Sequence, residues 1–305
     1  MMTKTKIEWT EHSWNPITGC TPISEGCRNC YAKRMARRLA GRLGYPEAPH
    51  HFDVTLHPDK LDVPRTRKRP TTYFVCSMSD LFHGDVPDDF ILDVLIRCGA
   101  ARQHTFQILT KRPARMFKWW TEYMNGAAFP QNVWLGVSVE NQAAADERIP
   151  LLLQTQAVIR FVSAEPLLEA VDLENYLGIW TNGVVSPRQP LIVNEPMTPN
   201  LFTALARPKD ASLYKQQLNW VICGGESGPG ARPMDVKWVR SLVEQCGAAS
   251  VPVFVKQMGT DWARDWLWGG KSVSAHGDRK GANMKYWPVD LRVRQFPRGM
   301  IAAGK

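Results

Sequence analysis

Three cysteines, Cys20, Cys27 and Cys30, fall within eleven residues of one another in the run Cys20-Thr21-Pro22-Ile23-Ser24-Glu25-Gly26-Cys27-Arg28-Asn29-Cys30, a C-x6-C-x2-C spacing. Thiolates are soft ligands suited to iron–sulfur clusters or zinc, and a loop rich in Gly, Pro and Ser lets all three turn toward one centre. Three ligands occupy three irons of a cubane and leave the fourth open to a substrate, which implies reactivity. A structural zinc site would want a fourth ligand, and His12 is close enough in sequence to serve. The remaining cysteines, Cys76, Cys98, Cys223 and Cys246, fall on expected strands or helices and read as small core residues. Seven cysteines, an odd number, with no apolar stretch in MMTKTKIEWTEH, argue against a disulfide framework and for the cytoplasm.

Charge gathers beside these thiols. Between Arg28 and Arg69 there are eleven Lys and Arg against four acids, a local +7 out of a whole-chain +9. Lys33, Arg34, Arg37 and Arg38 would share one side of a helix, and Arg67 and Lys68 extend the strip, a pattern suited to tracking phosphates. The plainer reading is a solvated helix face. With 44% hydrophobic residues and 12 Trp the chain is not disordered, and it has no apolar run near the roughly 20 residues a membrane span needs.

The elements that position these groups recur. Strands are expected at Thr72 to Cys76, Thr105 to Leu109, Val133 to Val137, Val158 to Val162, Trp220 to Cys223 and Pro252 to Val255, with an opening strand before Cys20. Helices are expected at Tyr31 to Arg42, Asp88 to Ala101, Ala114 to Asn125, Gln142 to Gln154 and Asp235 to Ala248. Strand starts are 33, 28, 25, 62 and 32 residues apart, the length of one βα unit except where a Pro-rich stretch, Asn182 to Arg207, intervenes. The expected fold is α/β, a complete or partial βα barrel over residues 1–260 with an insertion at about 169–217. In a barrel the carboxyl ends of the strands converge on one face, so Lys111, Glu140, Glu165, Glu226 and Lys256 would ring a single cavity. The tail, 261–305, carries Trp262, Trp266, Trp268 and Trp287 and reads as a lid rather than a module, since 45 residues rarely build their own core. Its aromatics and arginines could also stack on exposed bases.

The chain resembles the phage-associated three-cysteine-motif proteins, a family of unknown function that is itself similar to the radical S-adenosylmethionine (SAM) superfamily. The resemblance is carried by Trp14-Asn15-Pro16-Ile17-Thr18-Gly19-Cys20, the cysteine loop, Ser77-Met78-Ser79-Asp80-Leu81-Phe82, His104 through Pro113, Gly224-Gly225-Glu226-Ser227-Gly228-Pro229 and Lys256-Gln257. It implies that Cys20, Cys27 and Cys30 hold a 4Fe-4S cluster, that SAM chelates the open iron, and that SAM is cleaved to a 5′-deoxyadenosyl radical. It implies cofactor contacts from Tyr31, Ser77, Asp80, Ser138, Glu140, Asn141, Gly224, Gly225 and Glu226, and catalytic roles for Lys111, Glu165 and Lys256. The superfamily's usual spacing is C-x3-C-x2-C, and its Gly-Gly-Glu after the second strand is replaced here by Ser77 to Asp80. The expected substrate is nucleic acid, DNA in preference to RNA, by analogy with spore photoproduct lyase, with a flavodoxin or ferredoxin as electron donor. Two other readings are a non-catalytic zinc-stabilised protein that binds nucleic acid or a partner, and radical chemistry on a peptide or metabolite.

Overall fold

The computed structural model describes residues 3–178 and 217–297. The strands are β1 (Thr3–Lys4), β2 (His12–Trp14), β3 (Ile17–Thr18), β4 (Thr55–Leu56), β5 (Thr72–Val75), β6 (Thr105–Thr110), β7 (Val133–Ser138), β8 (Ile159–Ala164), β9 (Trp220–Gly224), β10 (Val253–Gln257), β11 (Leu267–Trp268) and β12 (Lys271–Ser272). One sheet runs β1-β2-β5-β6-β7-β8-β9-β10. From β2 to β10 its seven strands are parallel, while β1 pairs antiparallel with β2. The sheet curls into a half-barrel, so of the two expected forms of the barrel this is the partial one. The Pro-rich stretch of the expected insertion lies outside the described residues. Among those residues no helix is long and apolar enough to cross a membrane.

Helices α1 (Tyr31–Leu39), α2 (Asp88–Ala100), α3 (Pro113–Tyr123), α4 (Gln142–Gln154), α5 (Val236–Ala248) and α6 (Thr260–Asp265) connect and flank the strands. Helix α1 stops three residues short of its expected end, where Ala40 turns to ψ 130° and Gly41 takes φ +68°. Strand alternation sorts the side chains into two layers. Tyr73, Val75, Phe106, Ile108, Val133, Leu135, Val137, Val162, Val221, Val253 and Val255 join the main core with buried residues of the helices. The intervening positions face the other way: Trp9, Phe74, Trp134, Phe161, Trp220, Ile222 and Phe254 form a second, mostly aromatic cluster. Gly136 belongs to this inner face, and a Cβ there would sit 2.5 Å from the Phe161 ring.

The same alternation continued toward the carboxyl ends replaces aromatics with polar groups. Trp134 is followed by Gly136 and Ser138, Phe161 by Ser163 and Glu165, Phe254 by Lys256. The half-barrel therefore has an aromatic floor and a polar mouth. The tail seals its far side: Val255 N–H donates to Val293 O (2.9 Å) and Gln295 N–H to Val253 O (2.9 Å), with Phe296 against Trp220 and Phe254. Trp262 and Trp287 are buried, whereas Trp266 and Trp268 are exposed. The described part of the tail thus covers the sheet edge along β10, and only Arg264, Arg279 and Lys280 of it reach the cavity.

Candidate functional site

A cavity of about 1580 Å³ opens at the carboxyl ends of the parallel strands, and Cys20, Cys27 and Cys30 all line it. The cysteine loop leaves β3 through Gly19, whose φ of +84° and whose distance of 2.0 Å from an added Cβ to the Asp53 carbonyl oxygen admit no other residue. The loop makes one 3-10 turn, Glu25–Cys27, and Cys30 is the N-cap of α1.

Three braces fix the loop. At its start, Arg112 donates from Nη2 to Thr21 O (2.8 Å) and Oγ1 (3.0 Å), and from Nη1 to Cys20 Sγ (3.4 Å) and Asp80 Oδ2 (3.3 Å). Asp80 is itself fully engaged, accepting from Thr110 Oγ1 and from the backbone N–H groups of Phe82 and Lys111. His83 Nε2 lies 2.8 Å from Thr21 Oγ1. In the middle, Gly26 rests on the Glu140 carboxylate, which a Cβ would approach to 3.1 Å. Glu140 is held in turn by Arg148 (2.9 and 3.3 Å). Burial pushes Glu140 up, but hydrogen bonds from Ser24 and Arg148 and the Arg148 charge bring its carboxyl below the usual range. At the end, Asn29 Nδ2 donates to Glu226 Oε2 (2.9 Å), and Arg232 donates to both Glu226 oxygens and from Nη1 to Glu25 O (3.0 Å).

The thiols differ from one another. Burial raises the Cys20 thiol, and the neighbouring Arg112 offsets only part of that. Burial also pushes up Cys27, but the Lys111 charge and backbone hydrogen bonds at Ile23 and Ser24 carry it below its usual value. Among the described residues the Lys111 ammonium has no ion-pair partner, whereas Lys256 pairs with Glu165 at 3.0 Å, and Ser163 Oγ donates to Glu165 Oε2 at 3.1 Å. Cys76, Cys98, Cys223 and Cys246 are buried with raised thiols, in keeping with core roles.

Of the residues expected at the site, the cavity brings together Cys20, Cys27, Cys30, Tyr31, Arg34, Ser77, Asp80, Lys111, Ser138, Glu165, Gly225, Glu226 and Lys256. Tyr31 reaches across it, its hydroxyl donating to Ser77 O. Several others are placed elsewhere. Glu140 is 1% exposed beneath the cysteine loop, and Asn141 caps α4 by accepting from Ala144 N–H (2.9 Å). Gly224 packs against β10, where a Cβ would lie 2.9 Å from Gln257 O. Lys33, Arg37 and Arg38 are exposed on α1. Arg67 donates to Thr71 Oγ1 (2.6 Å), just before β5 begins, so Arg67 and Lys68 sit at the amino end of the sheet, away from the thiols. His12, the possible fourth zinc ligand, is on β2 against Tyr73, with ring centroids 6.0 Å apart, and does not line the cavity.

Sequence reasoning missed Asn29, Arg112 and Arg232, which brace the cysteine loop, the first two also lining the cavity, and Arg148, which holds Glu140 beneath the loop. It also missed Ser163, which the alternation Phe161, Ser163, Glu165 could have revealed. Among the described residues no group of three or more His, Cys, Asp or Glu is gathered to hold a metal ion. The three half-buried thiols of one loop line one cavity beside Lys111 and Arg112; thiolates are donors of the kind an iron–sulfur cluster takes, and those cations would offset a cluster's negative charge.

Residues 4–288 match a family described as a protein of unknown function, DUF5131. The chain belongs to that family. No curated protein matches. Among solved structures, this chain is similar to two of spore photoproduct lyase. One is a double mutant with bound AdoMet and dinucleoside spore photoproduct, at TM-score 0.38 and 14% identity over 54% of this chain and 48% of that one. The other is a cysteine-to-serine mutant, at TM-score 0.37 and 15% identity over 54% of this chain and 48% of that one. This member of DUF5131 thus spans about half the length of the lyase it matches.

Proposed function

We propose that this protein is a radical SAM enzyme acting on nucleic acid. The observation that carries the reading is the convergence of Cys20, Cys27 and Cys30 on one cavity at the carboxyl ends of seven parallel strands. Cys20, Cys27 and Cys30 would hold a 4Fe-4S cluster by three corners. A bound cluster with SAM supplies a 5′-deoxyadenosyl radical for hydrogen abstraction, drawing its electron from a flavodoxin or ferredoxin.

The chain's own groups prepare that chemistry. Ser138, Ser163 and the Glu165–Lys256 pair offer donors and acceptors for ribose hydroxyls and for a methionyl carboxylate. Lys111, without an ion-pair partner among the described residues and facing Cys27, is suited to an anionic group of cofactor or substrate. The aromatic floor keeps water from the inner end of the cavity. Tyr31, Arg34 and Met35 line the cavity on the α1 side, an aromatic and a cation suited to an extruded base and its phosphate. Lys33, Arg37 and Arg38 extend the phosphate contact outward, with DNA preferred to RNA by analogy alone. Arg67 and Lys68 are left out of the contact because they lie at the other end of the sheet.

The deciding experiment is anaerobic purification with iron, sulfide and zinc analysis, followed by reduction in the presence of SAM. Four irons per chain and release of 5′-deoxyadenosine support the reading, and both are lost in Cys27→Ala. One tightly held zinc without iron overturns it.

A further inference from the structure

The three thiols are not equivalent in what they receive. Cys20 Sγ accepts a hydrogen bond from a guanidinium, Arg112 Nη1 at 3.4 Å. Cys27 has the Ser24 hydroxyl at 3.9 Å and the neutral backbone groups of Ile23 and Ser24, and among the described residues no charged hydrogen-bond donor reaches Cys27 or Cys30. Arg112 is also unusually well fixed. Its side chain is 12% exposed, its guanidinium is shared between Asp80, Thr21 and Cys20, and its backbone N–H donates to Thr110 Oγ1 at 2.8 Å. Asp80, 7% exposed at its side chain, takes its other hydrogen bonds from Phe82, Thr110 and Lys111, so it cannot swing away and carry Arg112 with it.

An arginine held this rigidly is more than a counter-ion. A donor aimed at a ligating sulfur withdraws electron density from it and stabilises the reduced, more negative state of the metal group it binds. We infer that Arg112 is a positioning residue that fixes the Cys20 corner of the cluster and raises the cluster's reduction potential, making the electron from the donor protein easier to accept. The inference rests on the cluster reading above and adds a residue to it. The run Thr110-Lys111-Arg112 then divides its work: Thr110 holds Asp80, Lys111 faces Cys27 and the open cavity, and Arg112 faces Cys20.

The test compares anaerobically reconstituted wild type, Arg112→Gln, Arg112→Lys and, as a control, Arg240→Gln, which removes only an exposed pair with Asp290. Metal and sulfide per chain are counted, and the midpoint potential is measured by mediated redox titration followed by electron paramagnetic resonance. At the wild-type midpoint, R112Q is expected to show at least a tenfold lower ratio of reduced to oxidised cluster, equivalent to about 59 mV for a one-electron couple. R112K, which keeps the charge but cannot bridge Cys20, Asp80 and Thr21 at once, should shift in the same direction by less, and R240Q not at all. Where R112Q is insoluble or loses iron, R112K carries the measurement. A wild-type potential in whichever variant retains a full cluster overturns the role of Arg112 and leaves the cluster reading standing. Zinc in place of iron in the wild type overturns both.

Discussion

Glu140→Gln places a neutral amide where a carboxylate meets Arg148, and it leaves an arginine stranded. The two side chains are 2% and 5% exposed and 2.9 Å apart, so neither can turn to water when its partner is lost. Removing one member of a buried pair costs about 3–5 kcal/mol, against a total stability of roughly 5–15 kcal/mol. At about 2–4 °C per kcal/mol for a protein of this size, the melting temperature should fall by about 6–20 °C. The pair's pH dependence has a definite sign. Glu140 has a depressed pKa in the folded state, so its contribution is complete above the unfolded value of about 4.3 and is lost as pH falls through the lower folded value. Calorimetry of wild type and E140Q from neutral pH to pH 3 should show two curves far apart at pH 7 that approach each other on the acid side. The double variant Glu140→Leu with Arg148→Met should recover most of the loss, because a well-packed apolar pair replaces a buried ionic one at little cost. An E140Q melting point within about 2 °C of wild type at pH 7 would refute the claim that this pair supports the cysteine loop.

Three further outcomes are expected. Gly136→Ala should destabilise by about 1–3 kcal/mol through collision with Phe161, and Phe161→Leu in the same chain should relieve part of it in a double-mutant cycle by denaturant melts. Neutralising Lys33, Arg37 and Arg38 together should flatten the slope of log affinity for duplex DNA against log salt by roughly 2.7, about 0.9 per phosphate contact, while Arg67→Gln with Lys68→Gln should leave the slope unchanged. Glu226→Gln should weaken the brace between Asn29 and Arg232, seen as faster alkylation of the cysteine loop in the iron-free protein at constant pH, whereas Lys256→Gln, away from that brace, should not change the rate.

The sheet and much of the cavity were legible because side chains alternate along a strand. With Phe161 and Phe254 facing inward, Ser163 and Lys256 follow, Glu165 continues the pattern one residue past β8, and an irregularity in β10 brings Gln257 to the cavity as well; the observed strands lie within a residue or two of the expected ones, with α4 beginning and ending where expected. The rule expires where the strand does. Glu140, two residues past the end of β7, turns under the loop to meet Arg148, and an ion pair eight residues apart leaves no mark in hydropathy or charge patterning. Glu226 likewise read as a cofactor contact, although Arg232 and Asn29 engage both of its oxygens. The basic strip misled for a topological reason: residues 28 to 69 span the return path from the carboxyl ends of the strands to the start of β5, so cations adjacent in sequence end up at opposite ends of the sheet.

The short antiparallel partners of β2 and β10 have a consequence for assembly. Backbone groups on the outer rim of β10 are already engaged by residues 293–295, and the opposite rim is a two-residue strand at Thr3–Lys4. A second copy finds almost no vacant ladder to extend, so strand exchange and fibre growth are disfavoured at both sides of the sheet. Any stable pairing between copies would have to be built from side chains, and removing the segment from Val293 onward should turn a well-behaved solution into one that scatters light as concentration rises.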